Sequence, residues 1–277
     1  DRYFHEGEYN KTKEQLENEG IKCFLQDGSG ITAETDLVVV STAIEDTVYE
    51  VKKAKELGIP IIKRSQLLAM IAKSKKTIAV AGTSGKSTTS AMLFQILLDA
   101  GLEPSIISGA GLTSIIKQGK IGNAYVGKGD WLIIEADESD GSVVQYEPEI
   151  GLLLNIDKDH QEIDELIELF TIFKNNTNSL FIVNQSNKLA KTLSANAKVD
   201  FGFENEIAGF NARNFKQEGF HLSFELNGQS FEMNAIGQHS VENATAAIAV
   251  ANQIGVDLKT CAESLSKYEG IYRRHQI

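Results

Sequence analysis

Cysteine is scarce in this sequence, with only Cys23 and Cys261 among its 277 residues. Cys23 lies in an apolar run and Cys261 on a predicted helix, in a chain too large to need a disulfide framework. We therefore expect two buried free thiols, not a disulfide or a metal pair, as in proteins of the reducing cytoplasm.

Basic residues are also in short supply, because 27 lysines and arginines face 38 aspartates and glutamates and leave a formal net charge of −11. Affinity for a nucleic-acid backbone depends on a surplus of lysine and arginine, so the composition argues against a general nucleic-acid binder. Any site for a phosphate group must therefore be local.

Long apolar runs are missing as well. No stretch approaches the ~20 residues that span a bilayer, and no basic segment precedes a short apolar run as in a signal peptide. We expect a cytoplasmic protein without membrane insertion, and the sequence predicts no oligomeric state. The chain opens at Asp1 without methionine and ends on residues 273–277 directly after a predicted helix, which is typical of an excised fragment.

Two α/β domains are predicted from the length and from the alternation of strands and helices. In residues 1–73, strands are expected at 21–25, 37–40 and 59–62, with a helix over 47–57. This order is typical of an open parallel sheet of the Rossmann type.

A second domain, residues 74–277, begins after the polar run 73–76. Its apolar runs predict a mostly parallel sheet, and Asn227-Gly228 predicts a hairpin in an antiparallel edge formed from residues 201–236. The expected strands are 77–81, 131–134, 151–156 and 180–183, and the expected helices are 86–100, 164–173, 240–254 and 257–268.

A glycine loop between a predicted strand and a predicted helix is the strongest local signal. Residues 82–87 read Gly-Thr-Ser-Gly-Lys-Ser. Glycines let backbone N–H groups approach phosphate oxygens, and the helix N-terminus adds partial positive charge. Lys86 adds a full charge near the β and γ phosphates, and the Ser87 hydroxyl is placed to reach Mg²⁺.

The loop departs from the full Walker form, because Val80 stands where that form has its leading glycine. A glycine-rich turn whose lysine is merely solvated is the alternative interpretation. The order strand, loop and helix favours phosphate binding.

Carboxylates crowd the end of the next predicted strand, where Glu135, Asp137, Glu138 and Asp140 fall within six residues. Open α/β sheets bind ligands at the carboxyl ends of their strands. A divalent cation would relieve the repulsion, and Mg²⁺ typically uses one or two carboxylates. The alternative is a solvated acidic loop.

His160 follows the predicted strand 151–156 at the end of the string Asp157-Lys158-Asp159-His160. Because strand ends converge on one crevice, this histidine could ligate a metal or orient a phosphate. A lone histidine in a loop is more often structural or solvent-exposed, and the spacing alone leaves both interpretations open.

Together these motifs resemble the Mur ligases, which join an amino acid to a UDP-muramoyl carboxylate in peptidoglycan synthesis. Residues 81–88 look like the family's ATP loop, residues 135–140 its acidic strand end and residues 155–160 its Asn-x-x-x-Asp-His motif. Residues 237–244 are similar to the segment that contacts adenine, and residues 268–274 to the Arg-Arg hinge before the third domain. The resemblance covers nearly the whole chain.

The resemblance implies an ATP-dependent carboxylate–amine ligase that uses ATP and Mg²⁺. It makes Lys86 the phosphate lysine, Ser87 and Glu135 ligands of a first Mg²⁺, and His160 a ligand of a second. Lys86, Glu135 and His160 would carry the catalysis. The implied nucleotide-binding residues are Gly82, Thr83, Ser84, Gly85, Lys86, Ser87, Thr88, Asn243, which would face adenine, and Arg273, near the phosphates or at the hinge.

The resemblance also divides the chain. Residues 1–73 would be part of a UDP-substrate-binding domain that lacks its glycine loop, and residues 74–277 would be the central ATP-binding domain. A C-terminal domain that binds the amino acid would begin near His275 and is absent. We expect such a fragment to bind ATP weakly and not to complete ligation.

Within the family, residues 135–140 and the Arg-Arg ending most resemble the branch that adds L-alanine to UDP-N-acetylmuramate, so that compound and an amino acid are the expected partners. Alternatives are a murein-peptide recycling ligase and another amide ligase of the fold, such as a folylpolyglutamate synthetase. A P-loop NTPase regulator is a further alternative. Ser84 and Ser240 stand where the alanine branch usually has His and Asn, which leaves substrate preference open.

Overall fold

The computed structural model describes residues 6–158 and 162–272. Contacts divide the chain into two compact units, one up to Met70 and one from Ile71 onward. The boundary that the sequence predicted, after residue 73, lies slightly further along the chain than this division. No helix within the described ranges has both the length and the apolar character to cross a bilayer.

The first unit contains a small parallel sheet. Its two strands pair in register, Val38 with Ile61, and the helix between them buries Ala54 against Val38 and Ile59. The elements are α1 (Glu6–Asn18), β1 (Val38–Val40), α2 (Tyr49–Glu56), β2 (Ile61–Lys63) and α3 (Arg64–Ala72), of which Ile71 and Ala72 belong to the second unit.

The strand predicted at residues 21–25 is wrong. This segment has no strand structure, and Phe24 and Leu25 are 55% and 76% exposed. An apolar run forms a stable strand only where neighbouring strands take its backbone hydrogen bonds and cover its side chains. The described part of this unit pairs only β1 with β2.

A six-stranded sheet forms the centre of the second unit, in the order β5-β4-β6-β3-β7-β8. All neighbours are parallel except β5, which runs antiparallel to β4 at the edge. The strands are β3 (Lys76–Ala81), β4 (Ser105–Ile107), β5 (Ala124–Tyr125), β6 (Trp131–Ala136), β7 (Ile150–Leu153) and β8 (Leu180–Val183). The predicted α/β fold with a mostly parallel sheet is confirmed.

Helices cover this sheet, and the longest ones follow the apolar periodicity of the sequence. Helix α4 buries nine of its residues and packs against α7 and α8. The helices are α4 (Lys86–Asp99), α5 (Thr113–Ile116), α6 (Ile163–Asn175), α7 (Gln238–Gln253) and α8 (Leu258–Leu265).

The region predicted as an antiparallel edge forms a four-stranded sheet of its own, in the order β12-β11-β10-β9. In this sheet β9 and β10 are parallel, and the other neighbours are antiparallel. The hairpin at Asn227-Gly228 is confirmed, since both residues have positive φ, 49° and 84°, as a tight turn between right-twisted strands requires. The strands are β9 (Phe201–Phe203), β10 (Phe210–Glu218), β11 (His221–Leu226) and β12 (Gln229–Asn234).

Both cysteines are free thiols, and Cys261 is buried as predicted, whereas Cys23 is only partly buried because the strand expected around it does not form. Burial raises the pKa of the Cys261 thiol to about 12, and the nearby Asp257 carboxylate contributes to the shift. A thiol with such a pKa stays protonated at neutral pH and reacts slowly.

We expect one thiol, Cys23, to react rapidly with a disulfide reagent at pH 8, and Cys261 to react only after the chain is unfolded. Thiolate release measured with and without denaturant checks this. A Cys23→Ser chain should show no rapid phase, and rapid modification of Cys261 in the folded chain would contradict its burial.

Candidate functional site

Three neighbouring strands of the central sheet end at the same level. Ala81, the last residue of β3, pairs with Ala136 of β6 on one side and with Leu153 of β7 on the other. The segments that follow these strands therefore start side by side at the carboxyl edge of the sheet. Open parallel sheets bind ligands at this edge.

The loop after β3 is shaped by two glycines with positive φ, Gly82 at 135° and Gly85 at 86°. A Cβ on Gly82 would lie 3.1 Å from the Leu154 Cβ and from the backbone nitrogen of Asn155. Gly85 is the N-cap of α4, and no side chain caps that helix. The first-turn N–H groups of α4 are thus left for a ligand, and helix N-termini favour anions.

Asn155, immediately beyond β7 and Leu154, holds this loop through its carboxamide. Its Oδ1 accepts hydrogen bonds from the Ser84 N–H at 2.9 Å and the Thr83 hydroxyl at 2.8 Å, and its Nδ2 donates to the Ser84 carbonyl at 3.1 Å. The sequence placed Asn155 in a motif but predicted no contact for it. Its position directly after a buried strand was the available signal.

Lys86 turns back over the loop. Its ammonium donates to the Gly82 carbonyl at 2.7 Å and to Glu138 Oε2 at 2.7 Å, while Asp137 Oδ1 lies 3.9 Å away. Both members of the close pair are largely buried, with 16% of the Lys86 and 7% of the Glu138 side chain exposed. The partner role of Glu138 was not predicted from the sequence.

Glu135, near the end of β6, receives three hydrogen bonds. The Ser87 hydroxyl donates to its Oε2 at 2.9 Å, and its Oε1 accepts from the Ser108 hydroxyl at 2.6 Å and the Gly109 N–H at 2.8 Å. The two predicted Mg²⁺ ligands of the first site, Ser87 and Glu135, therefore lie in contact. Ser108, which follows β4, was missed from the sequence because its strand is short.

The segment beyond β7 also touches the glycine loop. The backbone N–H of Asp157 donates to the Thr83 hydroxyl at 3.2 Å, and Asn187 Nδ2 donates to Asp157 Oδ1 at 3.3 Å. This segment leads towards His160, which lies outside the described residues. In the described part of the chain, no group of three or more His, Cys, Asp and Glu side chains is arranged to hold a metal.

Asn243, on the second turn of α7, meets the loop as well. A Cβ on Gly85 would lie only 2.6 Å from the Asn243 Oδ1. The carboxamide therefore packs against the loop glycine, and its predicted contact with adenine stays a prediction.

Models of two known protein domains match this sequence. A model of the Mur ligase middle domain matches residues 80–251, and one of the Mur ligase family catalytic domain matches residues 5–76. The chain belongs to the Mur ligase family. The described strand ends that build the site lie almost entirely within the first match.

Two relatives illustrate the likeness to other Mur ligases. The UDP-N-acetylmuramate–L-alanine ligases of Syntrophomonas wolfei and Pelagibacter ubique are both 34% identical to this chain, over 97% and 96% of its length. The alignments cover 60% of each relative. The chain thus spans about 60% of the length of these relatives.

Solved Mur ligase structures have the same fold. The UDP-N-acetylmuramate–alanine ligase of Thermotoga maritima is 26% identical with a TM-score of 0.84, covering 95% of this chain and 62% of that one. A murein peptide ligase of Psychrobacter arcticus is 25% identical with a TM-score of 0.79, covering 94% and 61%.

The structure brings several of the predicted site residues together. Lys86, Ser87 and Glu135 meet at the carboxyl edge, beside the other loop residues, Gly82, Thr83, Ser84, Gly85 and Thr88. Arg273, like His160, lies outside the described residues, so the roles expected for both stay predictions.

We expect Gly85→Ala to weaken ATP binding about tenfold or more. Alanine at a φ of 86° is strained by roughly 1–3 kcal/mol, and its methyl group would collide with the Asn243 carboxamide. Either the loop or Asn243 must then move. Titration of the chain with a fluorescent ATP analogue checks this.

Gly101→Ala is a matched control, because Gly101 has a φ of 77° but nothing within 4 Å of its Cβ position, and it follows the far end of α4. Backbone strain alone would affect the stability of both variants. Equal ATP affinities for the two variants would contradict a special role for the loop glycine.

Proposed function

We propose that this chain is the nucleotide-binding part of an ATP-dependent ligase that joins L-alanine to the carboxylate of UDP-N-acetylmuramate in peptidoglycan synthesis. The relatives named above act, by their names, on that acceptor and that amino acid. The observation that carries the proposal is the meeting of a glycine loop, Lys86 and the Ser87–Glu135 pair at one sheet edge.

The loop fits a polyphosphate. Gly82 and Gly85 let the loop pack against Leu154, Asn155 and Asn243 in a conformation that a Cβ would disturb, and the uncapped start of α4 presents N–H groups. Lys86 adds the positive charge that a γ-phosphate requires. We propose that the β and γ phosphates of ATP bind there.

The neighbouring oxygens fit Mg²⁺. Mg²⁺ prefers oxygen ligands and is commonly held by one or two carboxylates together with phosphate oxygens and water. The Ser87 hydroxyl and the Glu135 carboxylate, 2.9 Å apart, are such ligands. We propose that they hold one ion, and that His160 serves a second, as the family resemblance implies.

Activation by phosphate explains why ATP is needed, because a free carboxylate does not condense with an amine in water. In the proposed reaction the acceptor carboxylate attacks the γ-phosphorus, and ADP leaves. The alanine amine then attacks the acyl phosphate, loses a proton, and inorganic phosphate leaves. Lys86 would donate to the transferring phosphoryl oxygens, and bound Mg²⁺ would neutralise part of their charge.

A cytoplasmic location is part of the proposal. Both cysteines are free thiols, which is typical of a reducing compartment.

The test is ADP formation by a full-length protein carrying this sequence. It should be measured with UDP-N-acetylmuramate and each of L-alanine, glycine, L-serine and a murein tripeptide, and without any acceptor. We expect ADP only when acceptor and amino acid are both present, fastest with L-alanine. Preference for the tripeptide would indicate the recycling branch instead, and acceptor-independent ADP would indicate a nucleotide hydrolase.

A further inference from the structure

Glu138 is a buried carboxylate that the proposed reaction does not yet use. It is 5% exposed and belongs to the acidic string that follows β6. Glu135, in the same string, accepts a hydrogen bond from Ser87, whereas Glu138 accepts one from Lys86. Two glutamates three positions apart therefore contact two different parts of the phosphate loop.

The contacts of Lys86 define its orientation. An ammonium group has three N–H donors. Two are used in bonds of 2.7 Å, to the Gly82 carbonyl and to Glu138 Oε2. Asp137 Oδ1, at 3.9 Å, is too far for a hydrogen bond. One donor is thus left for a phosphate oxygen while both anchors stay in place.

We propose that Glu138 is a positioning residue that fixes the Lys86 ammonium for phosphoryl transfer. This inference rests on the proposed function. A lysine side chain has four rotatable methylene groups, and ordering it costs rotamer entropy. The bond from Glu138 keeps Lys86 ordered in the ATP complex, so that the phosphoryl-transfer step does not include that cost.

The charge of Glu138 has an opposite effect on binding. A carboxylate beside the lysine repels the phosphates and partly neutralises the cation that attracts them. Its removal should therefore leave ground-state ATP binding unchanged or tighter. The reaction rate should fall, because Lys86 is no longer held where the transferring group needs it.

The discriminating variant is Glu138→Gln in the full-length protein, with two independent measurements. ATP affinity is measured by calorimetry without acceptor, and kcat is measured from ADP formation with UDP-N-acetylmuramate and L-alanine. Glu147→Gln is the matched control, because it breaks a Lys–Glu pair of 3.0 Å with Lys73 that is exposed and lies near the amino ends of the strands.

We expect Glu138→Gln to lower kcat at least tenfold while the ATP dissociation constant stays within threefold of wild type or decreases, and Glu147→Gln to change neither. Glu138→Asp keeps the charge but withdraws the carboxylate by one methylene group, and we expect a similar loss of kcat. Thermal unfolding shows whether each variant folds. If Glu138→Gln does not fold, Glu138→Asp tests the positioning role in its place.

Three results would overturn the inference. Wild-type kcat in Glu138→Gln would remove the positioning role, and a dissociation constant that rises in step with the loss of kcat would indicate a structural role. A wild-type protein that forms no ADP with any acceptor would overturn the proposed function as well. Activity of the wild type therefore separates the two failures.

Discussion

Replacing Lys86 with methionine is expected to weaken ATP binding by about 10- to 100-fold and to abolish measurable ADP formation. Methionine has a similar length but no charge and no donor. A hydrogen bond to a charged partner contributes about 1.5–3 kcal/mol, and each 1.4 kcal/mol is a tenfold change in affinity. The rate of ADP formation should fall more than the affinity for ATP does, because Lys86 would stabilise charge that develops on the phosphoryl oxygens in the transition state.

The same substitution should also destabilise the fold. It leaves Glu138, whose side chain is 7% exposed, without its cation. Removal of one partner from a buried pair costs about 3–5 kcal/mol, and the lower end applies because 16% of the Lys86 side chain still reaches solvent. We expect the unfolding midpoint to fall by roughly 6–12 °C.

The double variant Lys86→Met with Glu138→Gln separates stability from function. Without the buried charge, most of the lost stability should return, whereas ATP binding should stay weak. Lys73→Met is the control, since its exposed pair with Glu147 should contribute no more than about 1 kcal/mol. Wild-type ATP affinity in Lys86→Met would contradict the assignment of Lys86 to the phosphate site.

Much of the central sheet could be predicted from the sequence, because strands buried on both faces are continuous apolar runs. The predicted strand 180–183 matches β8 residue for residue. Two short strands, β4 and β5, were not predicted, since three and two residues give no periodicity to detect. The strand wrongly expected at 21–25 shows the converse limit, because a local pattern does not reveal whether a neighbouring strand is present.

The site was predicted at the level of residue types and strand ends, not at the level of atoms. The glycine loop and the acids at the end of β6 could be predicted because glycine, polar and charged residues there directly follow apolar runs. The string of acids does not reveal which α4 residue each glutamate contacts, and only the structure shows that Glu135 contacts Ser87 and Glu138 contacts Lys86. The hydrogen bonds through which Asn155 holds the glycine loop depend on the orientation of its carboxamide. No local sequence pattern indicates that orientation.

Glu135→Gln should remove the effect of Mg²⁺ on ATP binding and lower ADP formation by about 100-fold or more. Glutamine keeps the volume and one carbonyl oxygen, which can still accept from Ser108 and Gly109, so the fold should be retained. What is lost is the negative charge beside Ser87. A metal ion supplies several kcal/mol of charge stabilisation in phosphoryl transfer, and 1.36 kcal/mol is a tenfold change in rate.

The measurement is ATP affinity with Mg²⁺ and after its removal by a chelator. Wild type should bind ATP more weakly once the metal is removed, whereas Glu135→Gln should bind equally in both conditions. Glu135→Asp retains the charge at shorter reach and should show an intermediate dependence, and Glu147→Gln should behave as wild type. An undiminished response to Mg²⁺ in Glu135→Gln would place the ion elsewhere. Because Glu138 is bonded to Lys86, that outcome would direct attention to Asp137, whose side chain is 41% exposed and lies at the same sheet edge.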